Sequence, residues 1–454
     1  MSSTPLHNLD LGAARFIELQ LSLVLHQVFD IPALKSAALA LRTEFIPSPD
    51  PELQGMWKSK TLDKTLKEAL PYLQDISTTH LIDSTVLNHL VSFEESWKDQ
   101  FFPRALIIHV VSLIDACLIH FTVQHPFCDA NGVYRIANAY CALLDSKTIP
   151  PLGPRSPLEL REETGTNSIS SPLEPASERH KAFFAHGWSS LLTGGWRQHK
   201  NQWGSHGPKR VEKTTMIPDF VIDRLAKDAE GEAIRVTRHD LLMAWIHNVC
   251  ICQHLFHMKL LADHHNYGQA TMPDISQLTK NQGSGPPNFS FIMNIARLLE
   301  NDPEFHNPWL VITLPDLEAS SLSEHSAILA AANHIRAAIV DARRLEPVRQ
   351  ILQQHEHVRD TPMGPRDWGC REPNVAVSSW TNLALYDLEF ASGEGRRNKP
   401  VFVQVGVKVC PMLKLSGLFF ADGILTWRGK DGFWIQGCLD EVSWAKMCDF
   451  EMFQ

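Results

Sequence analysis

No other stretch limits the fold of this chain as strongly as the apolar run ALIIHVVSLIDACLIHFTV at 105–123. Its 19 residues would suffice for a membrane-spanning helix. However, Asp115 lies in its interior, where a charged side chain costs about 3 kcal/mol in a bilayer. The run is also rich in β-branched residues and divides at 112–115, which predicts two adjacent buried β-strands and no membrane segment.

Strand and helix patterns occur on both sides of this run. Further strands are predicted in 16–29, 374–390, 401–409 and 423–439, and helices in 31–45, 132–144, 237–256 and 323–344. Thr237 or Asp240 would cap the third of these helices. The order predicts an α/β protein of two halves, each a mixed sheet with flanking helices. We place the halves at 1–205 and 206–454, with the strand in 374–400 as a candidate addition to the first half.

Composition and charge narrow the class of protein. The chain has 454 residues and a formal net charge of −9, without the basic surplus that is typical of nucleic-acid binders. Its nine cysteines include no CxxC pair, which indicates reduced, mostly buried thiols in an intracellular protein. The N-terminus has no basic region followed by an apolar one, so no signal peptide is predicted. We therefore expect a cytoplasmic protein that binds neither nucleic acid nor membrane, and we interpret the two-half chain as a monomer.

The segment TVQHPFCDANGVYR at 122–135 carries the main candidate for chemistry. His125 follows an alternating strand, so it lies where that strand ends, at the rim of a sheet. A neutral imidazole is a proton acceptor near pH 7 and is suited to general-base catalysis. Asp129 or Asn131 can cap the helix that begins near Gly132. On these residues alone, an ordinary strand-to-helix corner is the favoured interpretation, and general-base catalysis is the alternative.

Several segments together resemble one enzyme family. HPFCDANG at 125–132 is similar to the HxxxD(x)G motif of the BAHD-type acyltransferases, which include fungal trichothecene-type acetyltransferases. SSWTNLALYDLEF at 378–390 resembles their Ser/Thr-Ser-Trp strand, which leads into a DFGWG motif. Weaker matches are LHNLDL at 6–11, VTRHDLLMAWI at 236–246, FIMNIARLL at 291–299 and the closing segment 416–447. The matches span most of the chain, and their order and spacing carry the resemblance.

The resemblance implies a fold, a reaction and a set of site residues. The fold would be two chloramphenicol-acetyltransferase-like domains with a channel between them. His125 would be the general base, Asp129 would hold the loop and face away from substrate, and Gly132 would give the corner room. Ser378 and Trp380 would line the channel near the oxyanion.

The co-substrates follow from the same resemblance. Acyl-CoA, in particular acetyl-CoA, would be the donor, with no permanently bound cofactor and no metal. The acceptor would be a hydroxyl of a secondary metabolite such as a terpenoid or polyketide.

One segment departs from the family pattern. In place of Asp-Phe-Gly-Trp-Gly the chain has Glu389-Phe390-Ala391-Ser392-Gly393, followed by EGRRN. The family's Asp is mainly structural and bound to an Arg, and Glu389 would keep that charge with a different reach. Two alternatives stay open: a same-fold enzyme that takes its acyl group from a carrier protein or catalyses condensation or cyclisation, and a non-catalytic binding module.

Two other groups of residues invite a chemical interpretation. His247, Cys250, His254 and His257 recur near one face of the helix at 237–256, as metal ligands would. No carboxylate sits at a matching position, and we interpret them as packing residues. Cys128 lies three residues after His125. We interpret it as a buried filler of the corner and not as a nucleophile, because thiols are among the most buried side chains.

Overall fold

The computed structural model describes residues 17–45, 56–74, 81–93, 105–149, 210–250, 289–298, 309–314, 324–346, 348–349, 375–392, 396–409 and 422–450. The strands are β1 Ile17–Leu25, β2 Trp57–Thr61, β3 Leu106–Ser112, β4 Cys117–Gln124, β5 Arg210–Pro218, β6 Phe289–Asn294, β7 Trp309–Leu314, β8 Val375–Trp380, β9 Phe390–Ala391, β10 Arg397–Asn398, β11 Phe402–Val409, β12 Asp422–Arg428 and β13 Gly432–Asp440. The helices are α1 Ile31–Phe45, α2 Leu66–Ala69, α3 Ser84–Val91, α4 Ala130–Leu144, α5 Asp219–Gly231, α6 at 238–250, α7 Glu324–Ala342 and α8 Glu441–Met447.

Five strands form the first sheet, in the order β11-β1-β4-β3-β2. The apolar run at 105–123 forms the neighbouring antiparallel strands β3 and β4, every residue of which is buried, so the prediction of two buried strands is confirmed. Helices α1 and α4 pack against each other and against one face of this sheet. There Phe121 meets the ring of Tyr140 edge-on, and the Tyr140 hydroxyl donates to the Leu34 carbonyl at 2.8 Å.

The opposite face of the first sheet is polar. The register aligns Ser22 of β1 with His120 of β4, and His120 with His109 of β3. All three side chains are buried. A buried row of polar groups requires internal hydrogen-bond partners, which distinguishes this face from the apolar one beneath the helices.

Six strands form the second sheet, in the order β5-β13-β12-β8-β6-β7. Its apolar core includes Trp245 of α6, Ile335 of α7 and Val377 of β8. The start of α6 is a capping box in which Thr237 and Asp240 bond to each other's backbone N–H, so both residues proposed as caps take part. Two mixed sheets with flanking helices confirm the predicted α/β architecture.

Sheet membership differs from the prediction in one respect. The strand within 374–400 is β8, and it lies in the second sheet, parallel to both β6 and β12. The reason is packing, since Val375 and Val377 are buried in the core of the second half. The strand that crosses into the first sheet is β11, which pairs with β1 along its length.

The two sheets meet where β11 lies beside β12. The Trp427 indole N–H donates to the carbonyl of Val403 at 3.0 Å, and the Gln404 amide donates to the Gln436 side-chain oxygen at 3.4 Å. Within the described part of the chain, none of the helices is both long and apolar enough to cross a bilayer.

Candidate active site

His125 begins the turn that follows β4, the middle strand of the first sheet. Its backbone N–H donates to the carbonyl of Ile17 at 2.9 Å, which extends the pairing of β4 with β1 by one residue. The turn closes with a hydrogen bond from the Phe127 N–H to the Gln124 carbonyl at 2.9 Å. His125 is 7% exposed. The first sheet therefore fixes the backbone of His125, and this residue lies at the rim of the sheet.

Of the two residues predicted as possible caps, Asp129 and Asn131, it is Asp129 that forms the N-cap of α4. One carboxylate oxygen accepts the Gly132 N–H at 3.0 Å, and the other accepts the Asn294 side-chain amide at 3.1 Å. Burial raises the pKa of Asp129 to about 6, while the N–H groups of Gly132 and Asn131 and the Asn294 amide oppose that shift. Asp129 thus joins the loop of the first half to the end of β6 in the second.

Gly132 occupies a place where a side chain would not fit. A Cβ there would stand 2.3 Å from Cβ and 2.8 Å from Sγ of Cys128. Cys128 is fully buried in the core of the first half, and burial fits the interpretation of this thiol as a packing group. The loop from His125 to Gly132 is therefore compact, with helix α4 starting against the Cys128 side chain.

Ser378 and Trp380 lie on the same face of β8, as alternation requires. They pair with Leu425 and Trp427 of β12, which pack, as Trp380 does, in the same apolar core as the strands of the first sheet. Trp380 is 1% exposed, and its indole N–H has no hydrogen-bond partner among the described residues.

Ser379 lies on the other face of β8, and its hydroxyl shares a hydrogen bond with that of Thr381 at 2.9 Å. This face of the second sheet also carries Val375 and Val377, which pack in that half's own core. The face of Ser378 and Trp380 therefore looks toward the first half, and the face of Ser379 looks away from it.

Glu389 forms an ion pair with an arginine. Its carboxylate pairs with Arg397 of β10 at 3.2 Å, and Arg397 also pairs at 3.0 Å with Asp145, the C-cap of α4. Lys399 pairs with Asp387 at 3.0 Å beside them. The segment that departs from the family pattern is thereby tied to the far end of the helix that Asp129 starts, through side chains that are partly exposed.

A buried hydrogen-bonded group on the polar face of the first sheet was not predicted from the sequence. His120 Nδ1 lies 2.7 Å from the Ser22 hydroxyl, and its Nε2 lies 3.0 Å from the Thr122 hydroxyl. Burial lowers the pKa of His120 to about 3, so the ring is neutral. The signal in the sequence was polar residues at alternate positions within otherwise apolar strands.

Only two of the four residues weighed as metal ligands lie within the described ranges. No group of three or more His, Cys, Asp and Glu side chains within the described ranges is arranged to hold a metal ion. His247 and Cys250 are buried in α6, and burial lowers the pKa of His247 to about 4. His254 and His257 lie outside the described residues.

Comparisons with known proteins place this architecture. No family model matches the sequence. A curated relative, Acetyltransferase peniE of Penicillium patulum, is 25% identical over 207 residues, which is 42% of this chain and 43% of that protein. The match thus spans less than half the length of that relative.

Solved structures match over nearly the whole chain. TRI101 of F. sporotrichioides, solved with coenzyme A and T-2, has 13% identity and a TM-score of 0.60, covering 99% of this chain and 97% of that one. TRI101 of F. graminearum, solved with coenzyme A and deoxynivalenol, has 13% identity and a TM-score of 0.59, with coverage of 98% and 97%. Vinorine synthase has 13% identity and a TM-score of 0.55, with coverage of 98% and 93%.

The fold is therefore that of the BAHD-type acyltransferases. TRI101 and vinorine synthase both represent this class, and the expected resemblance is confirmed at the level of the fold.

Proposed function

We propose that this chain is an acyl-CoA-dependent O-acyltransferase, in particular an acetyltransferase, with His125 as its general base. The acceptor is a hydroxyl of a secondary metabolite such as a terpenoid or polyketide. One observation carries the proposal: the HxxxD(x)G loop stands at the rim of the first sheet, with the Asp129 carboxylate bonded to Gly132 and Asn294. The neighbours solved with coenzyme A support the choice of donor.

The reaction follows from the position of His125. Its neutral imidazole takes the proton of the acceptor hydroxyl as the oxygen attacks the thioester carbonyl carbon. A C–O bond forms, and the carbonyl electrons move to the oxygen of a tetrahedral intermediate. When the carbon–sulfur bond breaks, the thiolate of coenzyme A leaves and takes the proton back from His125. The products are an ester and free coenzyme A, and no electron is gained or lost.

The tetrahedral oxyanion needs donors that already point toward it. We propose Trp380 and Ser378 for this role. Both lie on the face of β8 that looks toward the first half, and the buried Trp380 N–H has no other partner among the described residues. An indole N–H that gives up hydration on burial gains most from a charged acceptor.

Asp129 has a supporting role in this proposal. Both of its carboxylate oxygens are already engaged by hydrogen-bond donors, which suits a residue that holds the loop. The halves at 1–205 and 206–454 would enclose a channel, with the acyl donor entering from one side and the acceptor from the other. We further propose that the enzyme acts as a monomer in the cytoplasm, and the reaction as written uses no metal.

The test is to incubate the protein with acetyl-CoA and a panel of hydroxylated metabolites. Free thiol release and the mass of each product are measured, with His125→Ala protein as the matched control. We expect acetylated products that depend on His125. Binding of coenzyme A without any product would favour a binding module, and activity only with an acylated carrier protein would replace acyl-CoA as the donor.

A further inference from the structure

We infer that Asn294 is a positioning residue for the His125 loop, which it holds in register with the second sheet by its bond to Asp129. This inference rests on the proposed function, because it assigns Asn294 an effect on turnover. It adds a residue of the second half, 165 positions away from Asp129 in the chain, to the loop of the first.

The orientation of the Asn294 amide is determined by its second hydrogen bond. Its side-chain oxygen accepts the N–H of Ala296 at 2.8 Å, so its NH₂ group is the part that faces Asp129. That NH₂ group can only donate, and it needs an unprotonated carboxylate oxygen opposite it. The other Asp129 oxygen accepts the Gly132 N–H, and the Asn131 N–H also bonds to this carboxylate. In this hydrogen bond, the Asn294 NH₂ group is therefore always the donor and the Asp129 oxygen is always the acceptor.

Because of its position at the end of β6, Asn294 can link the His125 loop to the strand that carries the proposed oxyanion donors. Asn294 is the last residue of β6, and β6 pairs directly with β8, the strand that carries Ser378 and Trp380. Asp129 starts α4 four residues after His125. The bond between Asn294 and Asp129 thus joins the element that carries the base to the sheet that carries the oxyanion donors. A displacement of about 1 Å between reacting groups is enough to lower a rate about 100-fold.

The charges near the contact leave Asn294 as its donor from the second half. Arg135 acts on Asp129 from the same helix, His125 and Cys128 are the other side chains of the loop that can exchange a proton, and Asn294 itself is neutral. Burial raises the pKa of Asp129 to about 6, so the carboxylate is ionised at pH 8 and can accept both bonds. Experiments on the contact therefore belong at pH 8.

An exchange of the two side chains tests the inference. In Asn294→Asp, two carboxylates face each other, and in Asp129→Asn, two NH₂ groups do. The double variant restores every bond with reversed polarity: the amide introduced at position 129 donates to the carboxylate introduced at position 294, while oxygens that accept from Gly132 and Ala296 remain. We expect each single variant to lower kcat about 10- to 100-fold, and the double variant to recover to within about threefold of the wild type. The KM for acyl-CoA should change less than kcat in each.

Asn138→Asp is the matched control, because it makes the same chemical change at an exposed position of α4. It should leave kcat within about twofold. A double variant no more active than the worse single variant would overturn the inference. If the single variants do not fold, Asn294→Ala removes the bond without repulsion and should still lower kcat, whereas an unchanged kcat would overturn the inference.

A readout independent of turnover separates this inference from the proposed function. Hydrogen exchange of the Gly132 and Val133 amides, which bond to the side chain and carbonyl of Asp129, should speed up in the single variants and slow again in the double. Wild-type protein without acyl transfer but with this exchange pattern would refute the proposed function and retain the contact. Unchanged exchange in all variants would refute the contact as a constraint on the loop.

Discussion

At the scale of single residues, the proposal depends first on His125. His125→Ala should lower acyl transfer roughly 100-fold or more, because the acceptor proton then has no positioned base. The melting temperature should stay close to that of the wild type, since the loop is held by backbone bonds to Ile17 and Gln124 that alanine keeps. Steady-state kinetics and thermal unfolding measure the two effects.

The matched control for this variant is His89→Ala, at an exposed position of α3. It should leave the rate unchanged. Near wild-type turnover in His125→Ala would show that another group takes the proton.

Trp380 provides the second test at this scale. Trp380→Phe keeps an aromatic ring and removes the indole N–H, so it should lower kcat more than it raises KM for acyl-CoA. Ser379→Ala, one residue earlier on the opposite face of β8, should have little effect on either. Equal losses in both variants would mean that the strand matters as a structural element and that the Trp380 N–H has no special role.

Single residues also show how far the sequence can lead. The positions of His125 and Asp129 follow from an alternating strand followed by a capped helix, both of which are local patterns. The role of Asn294 does not follow, although its segment was recognised, because its partner is 165 residues away and only the packing of the two halves brings them together. The contact of His120 with Ser22 is hidden for the same reason, since it depends on strand register, whereas Thr122 is only two residues from His120 on the same strand.

At the scale of elements, the start of α4 leaves no room for an added side chain. Gly132→Ala should destabilise the protein by roughly 1–3 kcal/mol, because the new Cβ would stand 2.3 Å from Cβ of Cys128 and helix α4 would have to shift. Denaturant unfolding measures the loss, and turnover should fall with it as the loop moves. Cys128→Ala should not rescue this variant, because alanine keeps the Cβ that clashes.

Gly231→Ala is the matched control, at the end of α5, where nothing lies within 4 Å of an added Cβ. It should leave stability within about 1 kcal/mol, with any change in the stabilising direction. A Gly132→Ala protein as stable as this control would show that Cys128 and α4 can separate at little cost.

The type of each element was easier to predict than its sheet. Apolar spacing located β3, β4, α1, α4 and α7 because period and burial go together within one element. It did not distinguish the destinations of β8 and β11, which are both apolar strands in the last part of the chain. β8 joins the second sheet because Val375 and Val377 pack into the core of that sheet. This packing depends on residues elsewhere in the chain, so the local sequence of β8 does not predict it.

At the scale of the whole molecule, buried histidines in both halves couple stability to pH. Burial lowers the pKa of His109 to about 4, of His120 to about 3 and of His247 to about 4. Below the ordinary histidine pKa of about 6.5, the unfolded chain binds protons that the folded chain does not, so stability falls as pH is lowered. The limiting slope is about 1.4 kcal/mol per pH unit for each such histidine.

Asp129 contributes in the opposite direction. Its folded pKa of about 6 lies above the value of 3.8 for a free carboxyl, so between these values the folded chain binds the extra proton. Its contribution to stability therefore rises as pH is lowered through that window. Burial also lowers the pKa of His239, so these four histidines outweigh the one aspartate, and we expect the free energy of unfolding to fall from pH 6.5 toward pH 4.5.

His109→Phe tests this balance. The His109 ring packs 4.3 Å from that of Phe93, and its Nε2 has no partner among the described residues, so a phenyl ring fills the site and gives up only the ring's hydrogen bond with the Val91 backbone. The variant should unfold with a shallower dependence on pH between 6.5 and 4.5, measured by denaturant titration at several pH values. The exposed His89→Ala protein should keep the wild-type slope, and a His109→Phe slope equal to it would show that His109 does not contribute.

Because β11 pairs with β1, the first sheet cannot be completed until the last part of the chain has been synthesised. β1 ends at Leu25 and its outer partner begins at Phe402, so at about 5–20 residues per second the ribosome takes roughly 20–75 s to make the segment between them. During that interval the edge of β1 that will receive β11 remains unpaired, and an unpaired edge of Ile, Leu and Val residues is a site of aggregation. The period of greatest risk for this protein therefore ends only when its last hundred residues emerge.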